Sequence, residues 1–148
     1  MGPVNRQRRV LLHAGAMRFT EHEMTAALTG AAKSVLAAQR KEVRKGRVDV
    51  DTVWDDMDRY ARFQLLDALG GQILPVLMAL PDVEVAPGTR PSYSDAEVGE
   101  VVAGLVGDEG GRLRRAVTVK ARTALVQAAL ASVPPRLDPD ALLPPGDS

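Results

Sequence analysis

The chain of 148 residues contains no cysteine, so disulfides, thiol catalysis and thiolate metal sites are excluded from the start. Net charge is also lacking, because 19 basic residues balance 19 acidic ones. That removes any global electrostatic case for nucleic acid or for an acidic surface. Aromatic residues are scarce, with one Trp, two Tyr and two Phe. A core built from them would be small, so the core must rest on aliphatic and alanine packing. The longest uninterrupted apolar run, Ile73 to Leu80, is eight residues. A bilayer-spanning helix needs about 18 to 20. Met1 to Phe19 carries basic residues but no sustained apolar stretch of the kind a secretory leader uses. A soluble cytoplasmic protein with no membrane partner is therefore expected. The basic residues are skewed toward arginine, which we read as coding bias and not as a guanidinium-based function.

What the sequence does contain is a helix start signal used twice. Phe19-Thr20-Glu21-His22-Glu23-Met24 and Tyr93-Ser94-Asp95-Ala96-Glu97-Val98 share one pattern. A hydroxyl residue caps the helix, and the Glu three positions on bonds back to the cap's own N–H. The flanking apolar residues suit a hydrophobic staple. Both signals open stretches with helical apolar spacing. The fold class is therefore all-α, a compact bundle of about four main helices with flexible termini.

Helix A is expected from about Glu21 to Lys45, with Met24, Leu28, Ala31, Val35 and Leu36 as its stripe. Ala27, Gly30, Ala32 and Ala38 beside the stripe permit a close helix neighbour. Arg40, Lys41, Arg44 and Lys45 ahead of Gly46 complement the negative helix end and its left-handed stop. Helix B is expected to start at Asp51 or Thr52, with Asp55 and Asp56 in its first turn. Asp55–Arg59 and Asp58–Arg62 are spaced as i,i+4 ion pairs. Its core stripe is Trp54, Met57, Ala61, Leu65 and Leu69. Apolar residues then nearly encircle the helix from Phe63 to Leu80, which predicts a buried central element, kinked or broken by Gly70-Gly71 and Pro75.

Helix C is expected over about Asp95 to Val106, burying Val98, Val101, Val102 and Leu105. Helix D follows over about Arg112 to Ser132, with Leu113, Val117, Ala121, Ala124, Leu125 and Ala128 as its stripe. The organisation expected is a basic arm over 1–18, a helical domain over 19–133, and a Pro-rich disordered tail over 134–148. Removal of 136–148 should leave the fold intact. The two start signals do not amount to a duplication, since helix A is about twice as long as helix C.

Catalytic and metal chemistry finds little purchase. Asp49, Asp51 and Asp55 open like a calcium loop, but Trp54 stands where Gly is needed and Tyr60 where a bidentate Glu is needed. Glu97 and Glu100 share a face of helix C, yet helix D offers no facing acid. His22 reads as an exposed first-turn residue, and His13 has no evident partner in sequence. No phosphate-binding glycine loop or nucleophile elbow occurs. No catalytic residue, metal site or cofactor is expected, and the protein reads as a non-enzyme.

One segment resembles a helix-turn-helix DNA reader. Val102, Ala103, Val106, Gly107, Leu113 and Ala116 fall where that motif places its apolar, small and turn residues. The resemblance covers about 20 residues within 95–122. It departs at Asp108, where an aliphatic residue follows the turn glycine, and at Gly110-Gly111, where the second helix should be under way. Arg112, Arg114 and Arg115 stand at the N-terminal end of helix D, where the dipole disfavours cations. They need either acidic partners, such as Asp108, Glu109 or the helix B aspartates, or an external anion such as a nucleic-acid backbone. The leading expectation is a non-catalytic, self-associating interaction or regulatory domain, forming a homo-oligomer (a dimer) or binding a protein partner. The alternative is a DNA-binding transcriptional regulator using 95–122.

Overall fold

The computed structural model describes residues 15, 17–107 and 110–137. Among these the chain forms six α-helices and no strands: α1 (Glu21–Gln39), α2 (Lys41–Arg44), α3 (Val50–Asp56), α4 (Arg59–Ala79), α5 (Asp95–Leu105) and α6 (Gly111–Ala131). The helices pack compactly, with α6 against α1, α5 and α4, and α4 against α1 and α5. The N-terminal arm up to Ala14 and the tail beyond Leu137 lie outside the described residues, as do Asp108 and Glu109.

Both start signals are built as full capping boxes. Thr20 Oγ1 accepts from the Glu23 N–H at 3.0 Å, and Glu23 Oε1 accepts from the Thr20 N–H at 2.9 Å. Ser94 Oγ accepts from Glu97 N–H at 3.1 Å, and Glu97 Oε1 from Ser94 N–H at 2.8 Å. Each box satisfies backbone donors that the first helical turn leaves unpaired. Behind the second, Tyr93 and Val98 are both core residues.

Helix A is shorter than its pattern suggests. It ends at Gln39, and Arg40 is extended (φ −95°, ψ 114°). The four cations form like-charge i,i+4 pairs, Arg40/Arg44 and Lys41/Lys45, which disfavour helix there. The break also turns the chain back, so that α3 packs on α1 and Trp54 is buried. Lys41 and Arg44 lie in the last turn of the short α2, and Gly46 takes the expected left-handed conformation (φ 73°).

Helix B is two helices. Asp49, not Asp51 or Thr52, caps α3 and accepts from Asp51 N–H at 3.0 Å. Asp55 and Asp56 therefore close α3 and do not lie in its first turn. The chain breaks at Met57–Asp58, and neither expected aspartate–arginine pair forms; Arg62 lies over the Trp54 ring at 5.9 Å from its centroid. Conversely, α4 is not broken at Pro75 but runs through it to Ala79. Gly71 and Pro75 are both exposed. The carbonyl that proline leaves unpaired can thus be taken by water, which removes the main cost of continuing.

The all-round burial expected for α4 is not found either. Leu69, Ile73, Val76 and Leu77 are buried on one face, while Tyr60, Phe63 and Met78 are about two-thirds exposed on the other. In α5, Val98 and Val102 are buried as expected, whereas Leu105 is half-exposed. In α6 the register is turned. The buried face is Val126, Ala129 and Leu130, with Val119 and Leu125 packed beside it. Most of the expected stripe points outward: Leu113, Val117, Ala121 and Ala124 are exposed, whereas its last members, Leu125 and Ala128, are partly buried and Leu125 packs against the core. Close packing selects the buried face, because α6 meets α1 where a Cβ on Gly30 would overlap the Ser132 side chain, and meets α5 at Gly99 and Thr123.

Candidate interaction surface

The three arginines of α6 separate into two roles. Arg115 is half-buried, and its guanidinium donates to the Ala103 carbonyl at 2.6 Å. Ala103 lies in the last turn of α5, whose carbonyls have no helical partner, so Arg115 caps the negative end of that helix. This is a structural use that the α6 dipole alone did not predict. Arg112 and Arg114 are exposed and form no ion pair with the described residues. Neither is brought to the helix B aspartates, and pairing with Asp108 or Glu109 lies outside the described residues. Gly110, in the left-handed region (φ 86°), lets Arg114 fold over the turn.

Between α5 and α6 runs an open groove of about 740 Å³. Its floor is small, with Gly99, Ala103 and Ala116, and Arg115 stands at one end. At the other end Gln127 Nε2 donates to the Tyr93 carbonyl at 2.8 Å and to Asp95 Oδ1 at 2.9 Å. Tyr93 is itself fixed through its hydroxyl, which donates to the Pro81 carbonyl at 2.7 Å. Burial, then the charges of Asp82 and Glu97, push its phenol well above the ordinary tyrosine value, so it remains a neutral donor. The groove can accept apolar side chains and offers cations along one wall. It places no nucleophile beside a base.

The remaining candidates for chemistry are otherwise engaged or dispersed. His22 is exposed in the first turn of α1, and Glu97 is held in its capping box. Among the described residues no three His, Asp or Glu side chains are grouped to hold a metal ion, and no helix is long and apolar enough to cross a membrane.

Two features carry no clear mark in the sequence. Arg136, assigned to the tail, is clasped to the body of the domain. Its guanidinium pairs with Glu23 (3.0 and 3.3 Å) and donates to the Arg18 carbonyl at 2.9 Å. Its backbone N–H donates to Thr89 O at 2.7 Å, and its carbonyl accepts from Gly88 N–H at 2.6 Å. Burial works to raise the Glu23 pKa, but Arg136 and the Thr20 bonds outweigh it and hold the carboxyl below its ordinary value. The second feature is the exposed α4 face of Tyr60, Phe63 and Met78, of which Phe63 and Met78 fall in the stretch that the all-round apolar pattern had assigned to the core.

No protein-family model, curated protein or solved structure matches this chain.

Proposed function

We propose that the chain is a non-catalytic, self-associating interaction domain of the cytoplasm, with its contact surface on the outer side of α6. The observation that carries this reading is the turned register of that helix. One α6 face fills the core, while a second apolar stripe at i, i+4, i+8 and i+11 faces water, with Leu113 80% exposed and Val117 62% exposed. Scattered exposed aliphatics are ordinary, but a regular stripe along one helix is the pattern by which helices pair. The small-floored groove between α5 and α6 adjoins it and gives an incoming helix room for close approach. Light scattering and sedimentation across a wide concentration range test the reading. Association is expected in the parent and is expected to be lost in Leu113→Glu/Val117→Glu. A monomer at every concentration would remove the proposal.

A second reading has its own support. Arg112 and Arg114 are exposed, without ion-pair partners among the described residues, at the start of the second helix of a helix–turn–helix pair. Duplex DNA could take both. Binding to mixed-sequence duplex at low salt, falling steeply as salt rises, would favour this reading, and no binding at low salt would end it.

A further inference from the structure

We infer that the surface which receives α6 is the outer face of α4 on a second copy of this chain. This rests on the self-association proposed above and adds which two patches meet. The argument is one of complementary composition on two faces the fold leaves uncovered. Tyr60, Phe63, Asp67, Gly71 and Met78 recur at helical spacing along α4, and all are exposed. The apolar line is acidic, because Asp55, Asp56 and Asp58 precede it and Asp67 lies within it. All four aspartates are exposed, and none has an ion-pair partner among the described residues.

The outer face of α6 is the counterpart. Leu113, Val117, Ala121 and Ala124 form its apolar line, flanked by exposed Arg112, Arg114 and Lys120. Between Gly111 and Ala131 there is no acidic residue at all. Two copies of α6 laid face to face in parallel would set these cations against one another. Two α4 faces would do the same with aspartates, and like charges juxtaposed in an interface are strongly disfavoured. The unlike pairing instead sets the four aspartates of one face against Arg112, Arg114 and Lys120 of the other, with Arg59 as the one exposed cation at the start of α4. The two helices also have the same length, 21 residues. Gly71 on one and Ala121 and Ala124 on the other allow the backbones to approach, so that Phe63 and Tyr60 can lie between Leu113 and Val117.

The test is a charge exchange read by sedimentation and light scattering on the full chain. Arg112→Glu/Arg114→Glu makes both faces acidic; Asp56→Lys/Asp67→Lys makes both basic. The altered residues are exposed, and circular dichroism and melting curves confirm that each variant is folded. Each variant alone is expected to self-associate at least roughly tenfold more weakly than the parent, and parental association should weaken with added salt. An equimolar mixture of the two variants should recover association, because each acidic face then meets a basic one. A parent that associates, with variants that associate equally well or a mixture that does not recover, would overturn the pairing while leaving self-association standing. A parent that is monomeric throughout would overturn both, and a monomeric parent that binds duplex DNA in a salt-sensitive way would transfer the α6 cations to the nucleic-acid reading.

Discussion

Replacing Arg136 with Ala should destabilise the domain measurably, although the residue follows two prolines and belongs by composition to a tail. The substitution removes two contacts to the Glu23 carboxylate and one to the Arg18 carbonyl, at 3.0, 3.3 and 2.9 Å. Hydrogen bonds to charged groups contribute about 1.5 to 3 kcal/mol. The arginine side chain is 33% exposed, so part of that interaction is screened. The 7% exposed Glu23 side chain keeps its Thr20 N–H. A net loss of about 1 to 2 kcal/mol follows, which for a domain of this size is a fall in melting temperature of about 3 to 8 °C. Helical circular dichroism on heating at neutral pH reads it directly. The pH dependence is a second signature. Because the folded-state pKa of Glu23 is lowered from the ordinary 4.5, its stabilising contribution is present in full above that value and is lost as pH falls through the folded value. The gap between parent and Arg136→Ala should therefore hold from neutral pH to about 5 and narrow on further acidification, leaving the part that comes from the Arg18 carbonyl. Equal melting temperatures at neutral pH would refute the clasp, and a gap that persists unchanged in acid would refute the role given to Glu23.

Thr20→Ala and Ser94→Ala should each cost roughly 0.5 to 2 kcal/mol in chemical denaturation, the usual loss for an N-cap, and parental stability in both would contradict the capping boxes. Gly30→Ala forces a Cβ into the Ser132 side chain, so despite alanine's better helix propensity it should destabilise by about 1 to 3 kcal/mol; a neutral or stabilising result would show that α1 and α6 are less closely packed there. Gly110→Ala places a Cβ at φ 86° against the Arg114 side chain and should cost about 1 kcal/mol or more, whereas an unchanged melting temperature would remove the left-handed turn.

The parts of this fold legible in the sequence are those governed by local chemistry. Thr20 and Ser94 announce α1 and α5 because a cap and its box are satisfied within four residues. Where local and tertiary terms compete, the pattern misleads. Asp55 and Asp56 read as first-turn acids of one long helix, but Asp58 ahead of Arg59 is the real boundary, and an acid before the first helical residue was the signal available for it. Pro75 read as a kink or a break; that it is not a break depends on whether the freed carbonyl is wet, which only the assembled fold decides. The Arg136–Glu23 pair spans 113 residues, so no local pattern could have marked it.

The register of α6 shows why the surface was harder to read than the fold. Its sequence offers two faces that could be buried. One is the regular stripe from Leu113 through Ala124, and the other is the set of Val126, Ala129 and Leu130 that the fold uses. Periodicity alone ranks the stripe first, because it is longer and more regular. Packing reverses the order, because Ser132 nests against Gly30 with no room for a Cβ, and that close approach, with the ordinary contact of Thr123 at Gly99, sets the rotation of the helix. The same holds for α4, whose nearly all-round apolar sequence reads as burial on every side. In the fold α4 buries one face only, Leu69, Ile73, Val76 and Leu77, so its second apolar face is left to water. The burial expected for these faces is therefore not met within one copy. Under the self-association proposed above, the excess apolar periodicity is the part of the sequence that serves the contact between copies, and the unlike charges flanking the α4 and α6 faces select which two surfaces meet.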